Sequence, residues 1–172
     1  VTSIGHCKRR LTNDRLLEAS VRVSMSADDR VDPHDLQRFL AAQASSYEAA
    51  LAELRAGRKR GHWIWYIFPQ LKGLGVSPSS EFYGLSGLDE ARAYLGHPVL
   101  GSRLRACVAA MLAHDGLSAE AALGATDAMK LRSSLTLFAR AAPEDDALFT
   151  SALARFFGGK EDEKTLALLA AR

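Results

Sequence analysis

Two cysteines in 172 residues, Cys7 and Cys107, leave no material for a disulfide framework or a four-cysteine zinc site. Long apolar runs are missing as well. The longest, Trp63 to Phe68, falls far short of the roughly 20 residues a membrane-spanning helix needs. Five prolines and 24% charged residues exclude a proline-rich or highly charged disordered chain, and 48% hydrophobic residues are enough for a packed core. The first residues lack the apolar stretch of a secretory signal, since Lys8, Arg9, Arg10, Asp14 and Arg15 interrupt it. A cytoplasmic monomer without a membrane contact is the expectation.

The sequence pI of about 8.7 invites a nucleic-acid reading, so the location of the charge matters. Of 22 basic and 20 acidic side chains, residues 1–24 hold five and two, which leaves the remainder essentially neutral. Residues 1–31 show no helical or strand period and read as a disordered leader, with Met25 as a candidate true start. An Arg-rich organelle transit peptide is the alternative for that stretch. Residues 32–172 read as a single domain, because every Gly or Pro break in them is turn-sized.

From Asp32 onward apolar positions recur at helical spacing and no stretch alternates like a strand, so the expected fold is all-α. The pattern predicts a compact bundle of about seven or eight helices around a buried aromatic segment. Its first helix carries Leu36, Phe39, Leu40, Tyr47, Leu51 and Leu54, with Asp32 as cap, Pro33 in the first turn and Gly57 as the stop. Gln43 falls inside that stripe, so its amide needs a partner or faces a polar cavity. His62 to Gln70 is apolar on every side and should be buried on both faces. Ser86-Gly87-Leu88-Asp89 reads as a capping box, Thr126 as the cap of a helix from Asp127 to Ala141, and Gly158-Gly159 as a helix stop.

Three blocks stand out by their spacing. They are Gly57-x-Lys59-x-x-His62-Trp63-x-Trp65-x-x-Phe68-Pro69-Gln70-Leu71-x-Gly73-Leu74-Gly75, then His97-Pro98-x-Leu100-Gly101-x-Arg103-Leu104, then Lys130-Leu131-Arg132-Ser133-Ser134-x-Thr136-Leu137-Phe138. Together they resemble the family called domain of unknown function 1810, over roughly Asp32 to Leu169. The resemblance implies a compact all-α fold. It implies no activity.

The residues themselves carry two functional readings. On the wheel of the Asp127 helix, Asp127, Lys130 and Ser134 form a polar strip beside the apolar face, with Arg132 on the other flank. One reading is a local carboxylate–lysine pair on a solvated flank. The other is a site in which Lys130 or Arg132 and the Ser133 and Ser134 hydroxyls meet a phosphate or carboxylate. His62 is the candidate general acid or base, the role an imidazole side chain takes most often. If its segment is helical, Tyr66 falls on the same side with Gln70 just beyond, and Gln43 joins them as a pocket wall. The leading expectation is thus a small-molecule anion or nucleotide-like ligand, bound or turned over without metal or cofactor by His62, Gln43, Tyr66, Gln70, Lys130, Arg132, Ser133 and Ser134. The alternative is a non-catalytic module contacting protein or nucleic acid through Arg55, Arg58, Lys59 and Arg60. The neutral charge beyond the leader weighs against nucleic acid. No Walker loop, Gly-x-Ser-x-Gly elbow or paired histidines at metal spacing are present, and Gly73-Leu74-Gly75 is a turn.

Overall fold

The apolar stripe from Leu36 to Leu54 folds as two helices, not the single one expected. In the computed structural model, which describes residues 32–172, α1 spans Gln37–Gln43 and α2 spans Tyr47–Arg55. The leader over 1–31 and the candidate start at Met25 lie outside the described residues. Asp32 and Pro33 do not open the helix as expected, because α1 begins only after Leu36, but the Asp32 carboxylate reaches forward to accept from the Gln37 N–H at 3.0 Å and the His34 N–H at 3.2 Å. The break comes at Ala44 to Ser46, where the Ser46 hydroxyl donates back to the Ala42 carbonyl at 2.6 Å. Serines compete with the helix for its own backbone, and two in succession end the first helix.

The aromatic segment is buried on one side only, with Trp65, Tyr66 and Gln70 half-buried and His62 exposed, and only its middle is helical. α3 spans Ile64–Ile67, and Trp63, Ile64, Ile67, Phe68 and Leu71 are all in the core. Pro69 stops it. α4 (Pro78–Phe82) starts under the Ser77 hydroxyl, which accepts from the Ser80 N–H at 3.1 Å. Leu71 and Leu85 then form one parallel bridge, and among the described residues there is no longer strand pairing.

α5 (Leu88–Gly96) opens with a cap one residue later than read. Glu90, not Asp89, reaches back, accepting from the Ser86 N–H and hydroxyl at 2.7 Å each. Its second oxygen takes Arg38 at 2.6 Å, and both side chains are nearly buried, at 10% and 6% exposure. Arg38 also donates to the carbonyls of His34, Asp35, Phe82 and Gly84, so one guanidinium ties α1 to the turn before α5.

α6 (Leu100–Leu112) begins after His97, whose Nδ1 accepts from the N–H groups of Val99 and Leu100 at 3.2 and 3.3 Å. Gly101 follows because a Cβ there would run into the Leu95 carbonyl. The His-Pro-x-Leu-Gly block is therefore a cap and a close helix crossing. α7 (Ala119–Leu123) is capped by Ser118, and α8 (Ala125–Ala141) follows at once from Gly124, two residues ahead of the expected start. α9 (Leu148–Phe157) stops at Gly158 in the left-handed region, φ +61°, and α10 (Glu163–Ala170) starts under Asp162, which accepts from the Thr165 N–H at 2.9 Å.

The ten helices among the described residues exceed the expected seven or eight because the first one splits and the short turns are helical, but the class is all-α as read. α8 is the hub, packed against α3, α5, α7, α9 and α10. Ser134 to Phe138 are buried without interruption, so this stretch is covered on every side. An aromatic chain crosses the core from Phe39 to Tyr94 (5.0 Å), Phe138 (5.5 Å) and Phe149 (5.7 Å), stitching α1, α5, α8 and α9 together. No helix among the described residues is long and apolar enough to cross a membrane.

Candidate functional site

The loop between α2 and α3 is shaped by a carboxylate. One Glu53 oxygen accepts from the N–H groups of Arg60 and Gly61 at 2.7 and 2.9 Å and from the Trp63 indole at 2.8 Å. Burial raises the Glu53 pKa, but the Gly61 and Arg60 amides and the Trp63 indole outweigh it and hold the carboxyl below its ordinary range. With the loop pinned, Lys59 turns inward. Its ammonium donates to the Gly61 carbonyl at 2.6 Å, meets Asp127 at 2.7 Å and lies 5.1 Å from the Trp63 ring centre.

Asp127 receives a second lysine on its other oxygen. Lys130, one turn along α8, sits at 2.8 Å from Asp127 and 4.5 Å from the Trp65 ring centre. Burial raises the Asp127 pKa, yet the bonds from Lys130 and Lys59 lower it further, so the group stays ionised well into acid. One carboxylate thus binds two ammonium groups, each resting on a tryptophan. This unit has one positive charge in excess.

Beside it lies a hollow of about 550 Å³, within the roughly 300–1,000 Å³ range of small-ligand sites. One wall is Trp65, Gln70 and the loop from Leu74 to Ser77, the other Thr126, Met129, Lys130 and Ser133 of α8, and Asp162 and Lys164 of α10 close an end. A narrower crevice of about 10 Å³, room for a single water, continues past Trp65 and Gln70 to Tyr83 and Gly84. Arg132 fixes the α10 side, donating from Nε to the Lys160 carbonyl at 2.9 Å and from Nη2 to the Glu161 carbonyl at 2.7 Å. Both acceptors are neutral, so the guanidinium keeps its full charge. Asp162 is committed to its own helix cap, accepting from the Thr165 N–H and hydroxyl. The lining is therefore net positive, with Lys130, Arg132 and Lys164 against Asp162.

Of the residues singled out in the sequence, Gln70, Lys130, Arg132 and Ser133 meet at this hollow. Gln43 does not. Its amide is consumed in the core, donating to the Tyr66 carbonyl at 2.8 Å and the Tyr94 hydroxyl at 3.0 Å while accepting from Arg103 at 3.3 Å. Tyr66 packs its ring on Tyr83 at 5.3 Å and lies away from the lining. His62 is exposed and outside the lining too. The shared side expected of His62 and Tyr66 needed a helix from residue 62, whereas α3 begins at Ile64. Arg55, Arg58 and Arg60 are exposed, but Lys59, read with them as a basic cluster, is spent on Asp127.

Ser134 is buried within α8, and its hydroxyl has no hydrogen-bond partner. Ser134→Ala is therefore expected to be neutral or stabilising by up to about 1 kcal/mol in urea unfolding, since it removes a desolvated hydroxyl. A loss of more than about 1 kcal/mol would mean that the hydroxyl is bonded after all. Among the residues missed by reading the sequence are Leu74, Val76, Met129 and Lys164. Only Met129 left a signal, as an apolar side chain on the solvent-facing side of α8, away from Leu131 and Leu135. Among the described residues no three His, Cys, Asp or Glu side chains gather in a way that could hold a metal ion.

The family model described as protein of unknown function (DUF1810) matches residues 33–169. The crystal structure of the conserved hypothetical protein Rv1873 from Mycobacterium tuberculosis is similar in fold and sequence, with a TM-score of 0.79 and 52% identity over 81% of this chain and 99% of that one. No curated protein matches at a significant level.

Proposed function

For a chain that belongs to the DUF1810 family, whose description states no activity, we propose from the site itself that the hollow between Trp65 and α8 binds a small anionic ligand. One observation carries this reading. The Trp65-to-Gln70 segment and the Lys130-to-Ser133 segment, some sixty residues apart in the chain, line one hollow whose charge is net positive. Lys130 has three N–H donors and gives one to Asp127, which leaves it able to donate to a ligand oxygen. Gln70 adds a neutral amide that can orient the bound anion, while the Ser133 hydroxyl already donates to the Met129 carbonyl at 3.1 Å. The reading is one of binding, because the candidate acid–base residue His62 stands away from this lining.

The test is a thermal-shift screen of the full chain against nucleotides and phosphorylated metabolites. A ligand at about 100 times its dissociation constant stabilises by about 2.7 kcal/mol. Lys130→Gln should weaken the best binder at least about tenfold, because a hydrogen bond to a charged group contributes roughly 1.5–3 kcal/mol. No stabilisation across the panel, together with salt-sensitive oligonucleotide binding that Arg58→Ala and Arg60→Ala abolish, would replace this reading with the nucleic-acid one.

A further inference from the structure

The charges account for only part of the hollow. Among the described residues four large apolar side chains are conspicuously exposed, and two of them, Val76 at 98% on the loop and Met129 at 65% on α8, both line this one hollow. Leu74 and the Trp65 ring continue the same apolar surface inward. An exposed apolar side chain taken singly is ordinary. Here they come together with an indole, in a concave place that also holds Lys130, Arg132 and Lys164, and a bare inorganic anion would leave that apolar surface wet.

Resting on the anion-site reading above, we infer that the natural ligand is an organic anion, a phosphate or carboxylate carried on a flat apolar group, with the group seated between Val76 and Met129 against Trp65. The acidic end is placed by the polar side chains. Thr126, Met129, Lys130 and Ser133 recur at three- and four-residue spacing, so they form a stripe about 10 Å long on α8. That length accommodates a charged head and a ring side by side. Met, unbranched and polarisable, suits contact with a planar ring of varied outline. Trp65 offers the complementary flat face.

Isothermal calorimetry on the full chain separates this inference from the reading beneath it, using 1-naphthyl phosphate, inorganic phosphate and 1-naphthol as probes. Naphthyl phosphate should bind at least tenfold more tightly than either of the others. The double variant Val76→Ser with Met129→Ser changes two exposed positions, so folding is expected to be unaffected, and it should erase most of that advantage while leaving any phosphate binding unchanged. Equal affinity for naphthyl phosphate and phosphate, or an advantage that survives the double variant, overturns the organic-anion inference and leaves the anion site standing. Naphthol binding as tightly as its phosphate overturns both, as does silence from all three probes.

Discussion

Arg38→Ala is expected to lower the free energy of unfolding by about 3–5 kcal/mol, the cost of removing one partner from a buried ion pair. The Arg38–Glu90 contact is 2.6 Å with little exposure on either side, and its loss strands a buried carboxylate. It also frees the carbonyls of His34, Asp35, Phe82 and Gly84. Urea unfolding reads the effect directly, and a loss under about 1 kcal/mol would show that the pair is structurally idle. The pair carries a pH signature too. Burial raises the Glu90 pKa, but the Ser86 hydroxyl and N–H and Arg38 outweigh it, so the folded value lies below the ordinary 4.5. A depressed carboxyl stabilises the fold above the unfolded pKa and loses that contribution as the pH falls through the folded one. Acid destabilisation should therefore begin below about pH 4.5 in the parent protein, and Glu90→Gln should remove this residue's share of it.

Asp127→Asn is the second large effect, about 3 kcal/mol of lost stability, at the low end for a buried pair because Asp127, Lys59 and Lys130 keep 16%, 10% and 22% exposure. Two ammonium groups would be left facing each other across a neutral amide. The same change adds a positive charge beside the hollow, so organic phosphate affinity should hold or rise while stability falls. Denaturation and calorimetry on one variant measure both. A fall in affinity matching the fall in stability would place Asp127 in the binding site itself. The Asp127 pKa is also depressed below 3.8, by Lys130 and Lys59 against the opposing effect of burial, so its contribution disappears only as the pH falls below that value.

Much of the fold follows from spacing that can be read directly, as at Ser77, Ser118, Asp162 and Gly158, where a cap or stop depends on one residue and its immediate neighbours. What escaped depended on partners distant in sequence. The Gln43 amide is held by Tyr66, Tyr94 and Arg103, and it looked like a pocket wall only because those partners were unseen. Lys59 looked like part of a basic cluster because Asp127, its partner, lies far along the chain. The strip of Asp127, Lys130 and Ser134 was legible on the helical wheel, yet Ser134 lies one turn further, where α8 is covered on all sides, and so faces no cavity lining. Val76 and Lys164 sit on a loop and a helix that carry no periodic link to the site, and only the packing brings them there.

The chain has only two tryptophans, which makes the most direct measurement a titration followed by nitrogen–proton correlation NMR of their indole N–H groups. Adding 1-naphthyl phosphate should shift the Trp65 resonance, which belongs to the lining, and leave that of Trp63, buried and bonded to Glu53, nearly in place. Movement of neither resonance, or of Trp63 alone, would contradict the account.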